Sequence, residues 1–123
     1  MKISQSMAHG LLATSVLMLV LGTQMPGNLR DAAFAATQLP WQMSKVAHFA
    51  LFAVIAGLAH ASPLNWSLRR VVLGSLALAL LTEAFQFAAV GRDPSWRDVC
   101  LDCLGAAFGL VLVRNIGLIA RAY

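Results

Sequence analysis

The sequence predicts an all-α integral membrane protein: one domain over residues 1–123, built as a bundle of four transmembrane helices. Composition is the first reason. Hydrophobic residues make up 59% of the 123 and charged residues only 11%, against about 45–50% and about 25% in soluble domains. So little polar material cannot cover a water-exposed surface. The second reason is that the apolar residues fall into four blocks separated by turn-forming residues. The third is block length, since about 20 helical residues cross a hydrocarbon core of about 30 Å. Backbone groups in lipid must find partners within their own segment, and no alternating pattern of barrel strands is visible, so the blocks read as helices.

The first block runs from Ala8 to Met25 around LLATSVLMLVLG. Lys2, this stretch and Ala33-Phe34-Ala35 imitate a secretory signal with a small-residue cleavage site. The distance from Gly22 to that site is long for a signal, so a retained first helix is the expectation. The connection Pro26–Ser44 contains LRDAAFAA, which suits a short amphipathic helix on the membrane surface. The second block is Lys45–Ala61, closed by Pro63, Asn65 and Ser67. The third is Arg70–Val90, closed by Gly91, Asp93 and Pro94. The fourth is Asp98–Arg114, with Ser95 placed to cap it and Asp98 in the acid position of a capping box, near the positive end of the helix dipole. Trp41, Trp66 and Trp96 fall at block ends, where an interfacial aromatic belt belongs.

The net charge of +4 does not indicate nucleic acid. The basic residues are scattered singly or as Arg69-Arg70, which suits loops beside anionic headgroups. With the amino terminus in the cytoplasm, Lys2, Arg69, Arg70, Arg114 and Arg121 lie inside and Arg30, Lys45, Arg92 and Arg97 outside. That bias places both termini in the cytoplasm, and it sharpens if Lys45 and Arg92 are engaged by Glu83 and Asp98.

Function is carried by the polar residues inside the blocks. A charged side chain at the bilayer centre costs about 2.5–3.5 kcal/mol on insertion scales, so such residues face a bundle interior with partners. Lys45 and His48 open the second block, Glu83 and Gln86 close the third, and Asp98 and Asp102 open the fourth. In an up-down bundle these places share one membrane side. Spacings of three and four put each pair on one helical face. In the fourth block that face continues through Gly105 and Gly109, a small-xxx-small surface that admits a neighbouring helix. Positive groups and three carboxylates thus converge near one leaflet, with Arg92 at the adjoining loop.

Each residue also has a plainer role. Lys45 can snorkel to the interface, and His48 can be a hydrogen-bonded packing residue. Glu83 can serve a structural ion pair with Lys45 or Arg92, and Asp98 can simply favour a helix start. Gly105 and Gly109 read as packing residues. Cys100 and Cys103 form C-x-x-C, but inside a helical pattern with no βαβ unit, which argues against redox chemistry. His9, His48 and His60 are far apart along the blocks, and no Ser-His-Asp set, phosphate loop or His-Glu-x-x-His pattern occurs. Neither a metal nor a cofactor is expected.

The series K-x-x-H-F-x-x-F (Lys45, His48, Phe49, Phe52), E-x-x-Q (Glu83, Gln86), R-x-x-S-x-x-D (Arg92, Ser95, Asp98) and G-x-x-x-G (Gly105, Gly109) resembles the VanZ-like family. These are small bacterial membrane proteins named for an accessory protein of glycopeptide-antibiotic resistance. The likeness covers about residues 40–113, in order and spacing. One position departs: the family typically reads D-x-x-x-N before the glycine, and this chain has Asp102. The resemblance implies a cell-envelope role linked to antibiotic susceptibility, in the bacterial inner (cytoplasmic) membrane, and names no reaction. Two readings follow. In the leading one the protein is not an enzyme, and its cluster binds a lipid headgroup, a lipid-linked wall precursor or a partner membrane protein, with Lys45 and Arg92 holding an anionic group such as phosphate. In the alternative it is a membrane-embedded enzyme on a phosphate-bearing lipid or precursor, with His48 or Glu83 as general base. A proton-coupled transporter ranks third, since four short helices make a small pathway without oligomerisation. The oligomeric state is not legible in the sequence.

Overall fold

The computed structural model describes residues 3–40 and 42–122, with the side chains of residues 119, 121 and 122 left aside. Lys2, used in the charge bias, and Trp41, assigned to the aromatic belt, lie outside the described residues, as does the side chain of Arg121. The order is α1 (Gln5–Gln24), α2 (Gly27–Thr37), α3 (Met43–His60), α4 (Leu68–Ala88) and α5 (Trp96–Ala122). Among the described residues there is no strand. Helices α1, α3, α4 and a 23-residue stretch of α5, Trp96–Leu118, are long and apolar enough to cross a membrane. The four expected spans are therefore present. The short helix expected in the first connection is α2, and α5 continues past the expected end at Arg114 because no Gly-Pro breaker follows it.

Local signals set the boundaries. Ser4 caps α1, its hydroxyl accepting from the Met7 N–H at 3.2 Å, and Ser67 caps α4, accepting from Arg70 N–H at 3.3 Å. Gln38 ends α2 in the left-handed conformation, φ 56°. The α3–α4 turn is closed by His60 Nδ1–H donating to the Trp66 carbonyl at 2.9 Å. Helix α2 begins with Gly27 donating its N–H to the Val90 carbonyl at 3.1 Å, which ties it to the loop between α4 and α5.

The core alternates alanines with a few larger apolar side chains. Leu12 and Leu19 of α1 meet Phe52, Ile55, Ala56 and Ala59 of α3, Val71 and Ala79 of α4, and Val99 and Ala106 of α5. Leu, Val and Met dominate the outward faces, which suits hydrocarbon as the surrounding solvent. Two buried hydroxyls satisfy themselves locally, Thr82 donating to the Ala79 carbonyl at 2.9 Å and Thr23 to that of Val20 at 2.8 Å. Trp66 is half-buried at the start of α4 and Trp96 is 78% exposed at the start of α5.

The tightest crossing is α3 on α5. A Cβ at Gly105 would collide with the Phe49 carbonyl, and one at Gly109 with that of Ala53. Gly57 answers from α3, where a Cβ would meet the Val113 side chain at 3.3 Å. Phe49 and Phe108 flank the crossing with ring centroids 5.7 Å apart. Gly74, in contrast, has nothing within 4 Å of an added Cβ. Gly105→Ala and Gly109→Ala should each destabilise by about 1–3 kcal/mol, the usual range for overpacking. Gly74→Ala should be neutral or stabilise by up to about 1 kcal/mol through helix propensity. Thermal unfolding in detergent measures all three; equal melting temperatures for Gly109→Ala and Gly74→Ala would contradict the crossing.

Candidate functional site

Because α3 starts, α4 ends and α5 starts at the same end of the bundle, their terminal turns deliver side chains to one place. A cavity of about 250 Å³ lies there, lined by Lys45 and His48 from α3, Gln86 from α4, Arg92 and Asp93 from the loop, and Asp98 and Asp102 from α5. Ser44, Leu101 and Arg30 complete it. The start of α1 and the end of α5 lie at the opposite end of the bundle from this cavity.

The two helix pairs close across the α3–α5 crossing. Lys45 Nζ lies 3.8 Å from Asp98 Oδ1. One turn deeper, His48 Nδ1 lies 3.3 Å from Asp102 Oδ1, and the carboxylate acceptor calls for the proton on Nδ1. Asp102 is fully buried and His48 nearly so. The glycine at 105 sets this depth: with its backbone against Phe49, Asp102, three residues earlier on α5, comes level with His48, the residue before Phe49.

Glu83 takes a different place from the expected one. It is buried, yet its carboxylate turns to the loop, where Oε2 accepts the Ser95 backbone N–H at 2.7 Å. Ser95 caps α5 through its own hydroxyl, which accepts from Arg97 N–H at 3.2 Å. The reciprocal half of a capping box, expected from Asp98, is thus supplied by Glu83 from the neighbouring helix. A carboxylate already on the Ser95 amide makes a second one redundant, so Asp98 is released to face Lys45 and the cavity. Glu83 lines an adjoining apolar groove with Phe87, Pro94, Ser95 and Trp96, and the expected pairing of Glu83 with Lys45 or Arg92 gives way to this backbone contact.

Arg92 lines the cavity from the α4–α5 loop, half-buried. Burial, followed by the proximity of Arg30, pulls its guanidinium below the usual value, opposed by Glu83, Asp98 and Asp31. Four buried polar atoms have no hydrogen-bond partner among the described residues: Arg92 Nη1, Asp98 Oδ1, Asp102 Oδ2 and Glu83 Oε1. Three of these four belong to residues that line the cavity. Buried donors and acceptors are almost always satisfied in folded proteins, so such a concentration points to a polar ligand or water.

Arg30 was legible only as a loop charge. It reaches the cavity because α2 is tied to the α4–α5 loop through Gly27 and Val90, and it also holds Asp31 at 2.9 Å. The sequence signal was the amphipathic LRDAAFAA stretch, which fixes a surface helix without saying where it docks. Gly27 and Gly91 pack backbone to backbone at that junction.

Glu83→Ala should destabilise by about 1–2 kcal/mol, the range for loss of an N-cap acceptor, and should loosen the Arg92 loop. Glu83→Gln retains an amide oxygen for the Ser95 N–H and should melt near wild type. Melting temperature and hydrogen exchange at the start of α5 report both; equal behaviour of the two variants would remove the cap from the account.

Comparison with known proteins agrees with this frame. No curated protein and no solved structure matches the chain. The family model described as VanZ/LLP1 matches residues 4–119, from the cap of α1 into the last turns of α5. The match takes in every residue of the cavity and all four stretches long and apolar enough to cross a membrane, and the chain belongs to the VanZ/LLP1 family.

Proposed function

We propose that this VanZ-family membrane protein binds a phosphate-bearing lipid headgroup, free in the bilayer or carried by a lipid-linked envelope precursor, in the cavity between α3, α4 and α5. The single observation that carries the reading is the buried Arg92 Nη1, without a hydrogen-bond partner among the described residues, on a residue that lines a polar cavity in a membrane bundle. A guanidinium beside such a site is suited to phosphate by its planar donors. Lys45 and Arg30 add positive charge around the same mouth. The role assigned is in the bacterial cell envelope, with antibiotic susceptibility as its outward sign, and a partner membrane protein is accommodated at the exposed rim.

Orientation follows the charge bias. Three of the four cations on the cavity side, Arg30, Lys45 and Arg92, line the cavity and so are not free loop charges. The remaining excess of basic residues lies at the other end, at Arg69, Arg70 and Arg114, which favours cytoplasmic termini and a cavity opening to the outer leaflet of the inner membrane. In a background with Cys100 and Cys103 replaced by serine, cysteine at Asp93 should react with a membrane-impermeant maleimide on intact cells, and cysteine at Asn65 only after lysis. The reverse pattern would invert the topology.

The His48–Asp102 contact favours one second reading, a hydrolase or transferase acting on the same headgroup with His48 as base and Asp102 orienting it. His48→Gln separates the two: turnover of a radiolabelled phospholipid that vanishes in this variant supports the enzyme, and no turnover by wild type removes it. For the binding reading, native mass spectrometry of the purified protein should find retained phospholipid. Arg92→Ala should weaken it about 10–100-fold, the equivalent of one charge-assisted hydrogen bond at about 1.5–3 kcal/mol. Unchanged retention would refute the proposed site.

A further inference from the structure

Resting on that reading, we infer that the headgroup is zwitterionic: a phosphate joined to a primary amine, as in an ethanolamine phospholipid, with the phosphate on Arg92 and the ammonium on Asp98 and Asp102. The charges facing the cavity are Arg30, Lys45 and Arg92 against Asp93, Asp98 and Asp102, so cations and carboxylates balance. A ligand bearing only negative charge would gain the Arg92 guanidinium and at the same time meet the carboxylates. A ligand with both charges meets an opposite group at each end.

The orphaned atoms point the same way. Asp102 is 0% exposed, lines the cavity, spends Oδ1 on His48 and leaves Oδ2 without a partner among the described residues. Asp98 Oδ1, one turn nearer the surface, is buried with no hydrogen-bond partner among the described residues, and Lys45 Nζ approaches it at 3.8 Å. Two acceptors stacked along one face of α5 match an ammonium, which has three donors and no acceptor. A quaternary ammonium carries no N–H and would leave both acceptors unmet. The space agrees: about 250 Å³ is several times the roughly 30 Å³ of a water in liquid, enough for a phosphate and a two-carbon amine. The source of selectivity is therefore the carboxylate end, and the source of affinity shared by all phospholipids is Arg92.

The test uses the full-length protein in detergent and an equimolar mixture of phosphatidylethanolamine, phosphatidylglycerol and phosphatidylcholine with identical acyl chains, read by native mass spectrometry. Wild type should retain phosphatidylethanolamine at least about tenfold over each of the others, the worth of one charge-assisted hydrogen bond. Asp102→Asn removes the charge with little change of volume, and should cut the ethanolamine-to-glycerol ratio by at least about tenfold. Arg92→Ala should weaken all three together. Displacement of bound lipid by phosphoethanolamine in solution would show that the amino-phosphate itself suffices, and failure to displace would show that the acyl-bearing form is required; both are amino-phosphate recognition. If wild type retains phosphatidylglycerol or phosphatidylcholine as well as phosphatidylethanolamine while Arg92→Ala weakens them all, the zwitterion inference is overturned and the phosphate reading stands. If no phospholipid is retained above background, both fall.

Discussion

The backbone contact of α3 with α5 governs the rest of the molecule. Helices in lipid gain little from hiding apolar side chains from one another, because the tails outside are equally apolar. Close approach must instead come from surfaces that lack side chains, and Gly105 and Gly109 present such a surface to Phe49 and Ala53. Once those backbones touch, the register between the helices is fixed, and with it the meeting of His48 with Asp102 and of Lys45 with Asp98. The ion pairs do not draw the helices together. They occupy the place that the crossing creates, at a depth where unpaired charge would be costly.

Glu83 performs the second organising step. Its bond to the Ser95 amide joins the end of α4 to the start of α5, so the loop carrying Arg92 is anchored at its far end. The near end is anchored by Val90, which accepts from Gly27 at the head of α2. A loop pinned at both ends holds a cation over the cavity with less conformational freedom than an open linker would, and the entropy of ordering it is spent during folding and not on ligand binding. The same junction brings Arg30 to the rim.

Much of this was legible from residue order. Four apolar blocks with Pro, Gly and Asn between them fix the helices, and an even number of spans fixes which block ends share a side. The i, i+3 and i, i+4 spacing of Lys45 with His48 and of Asp98 with Asp102 fixes their faces, because a helix permits no other arrangement. Two things were not legible. The direction of the Glu83 carboxylate depends on a backbone amide, and backbone amides leave no mark in a sequence. The arrival of Arg30 depends on how α2 docks, which rests on the contact between Gly27 and Gly91, two glycines indistinguishable in the sequence from ordinary turn residues. Gly57 escaped notice for a similar reason: it lies alone on α3, and its meaning appears only when Val113 stands opposite.

The proposed function turns on one contact, a phosphate against Arg92 in the polar cavity. Solid-state NMR on the protein in phospholipid bilayers tests this directly, by measuring dipolar dephasing between lipid ³¹P and the ¹³Cζ of labelled arginine. Charge-assisted N–H···O contacts of about 2.7–2.9 Å place phosphorus within about 4–5 Å of the guanidinium carbon. The account predicts strong dephasing for the Arg92 signal, identified by its disappearance in Arg92→Lys. Dephasing confined to the interfacial arginines Arg69, Arg70 and Arg114, with none at Arg92, would contradict it.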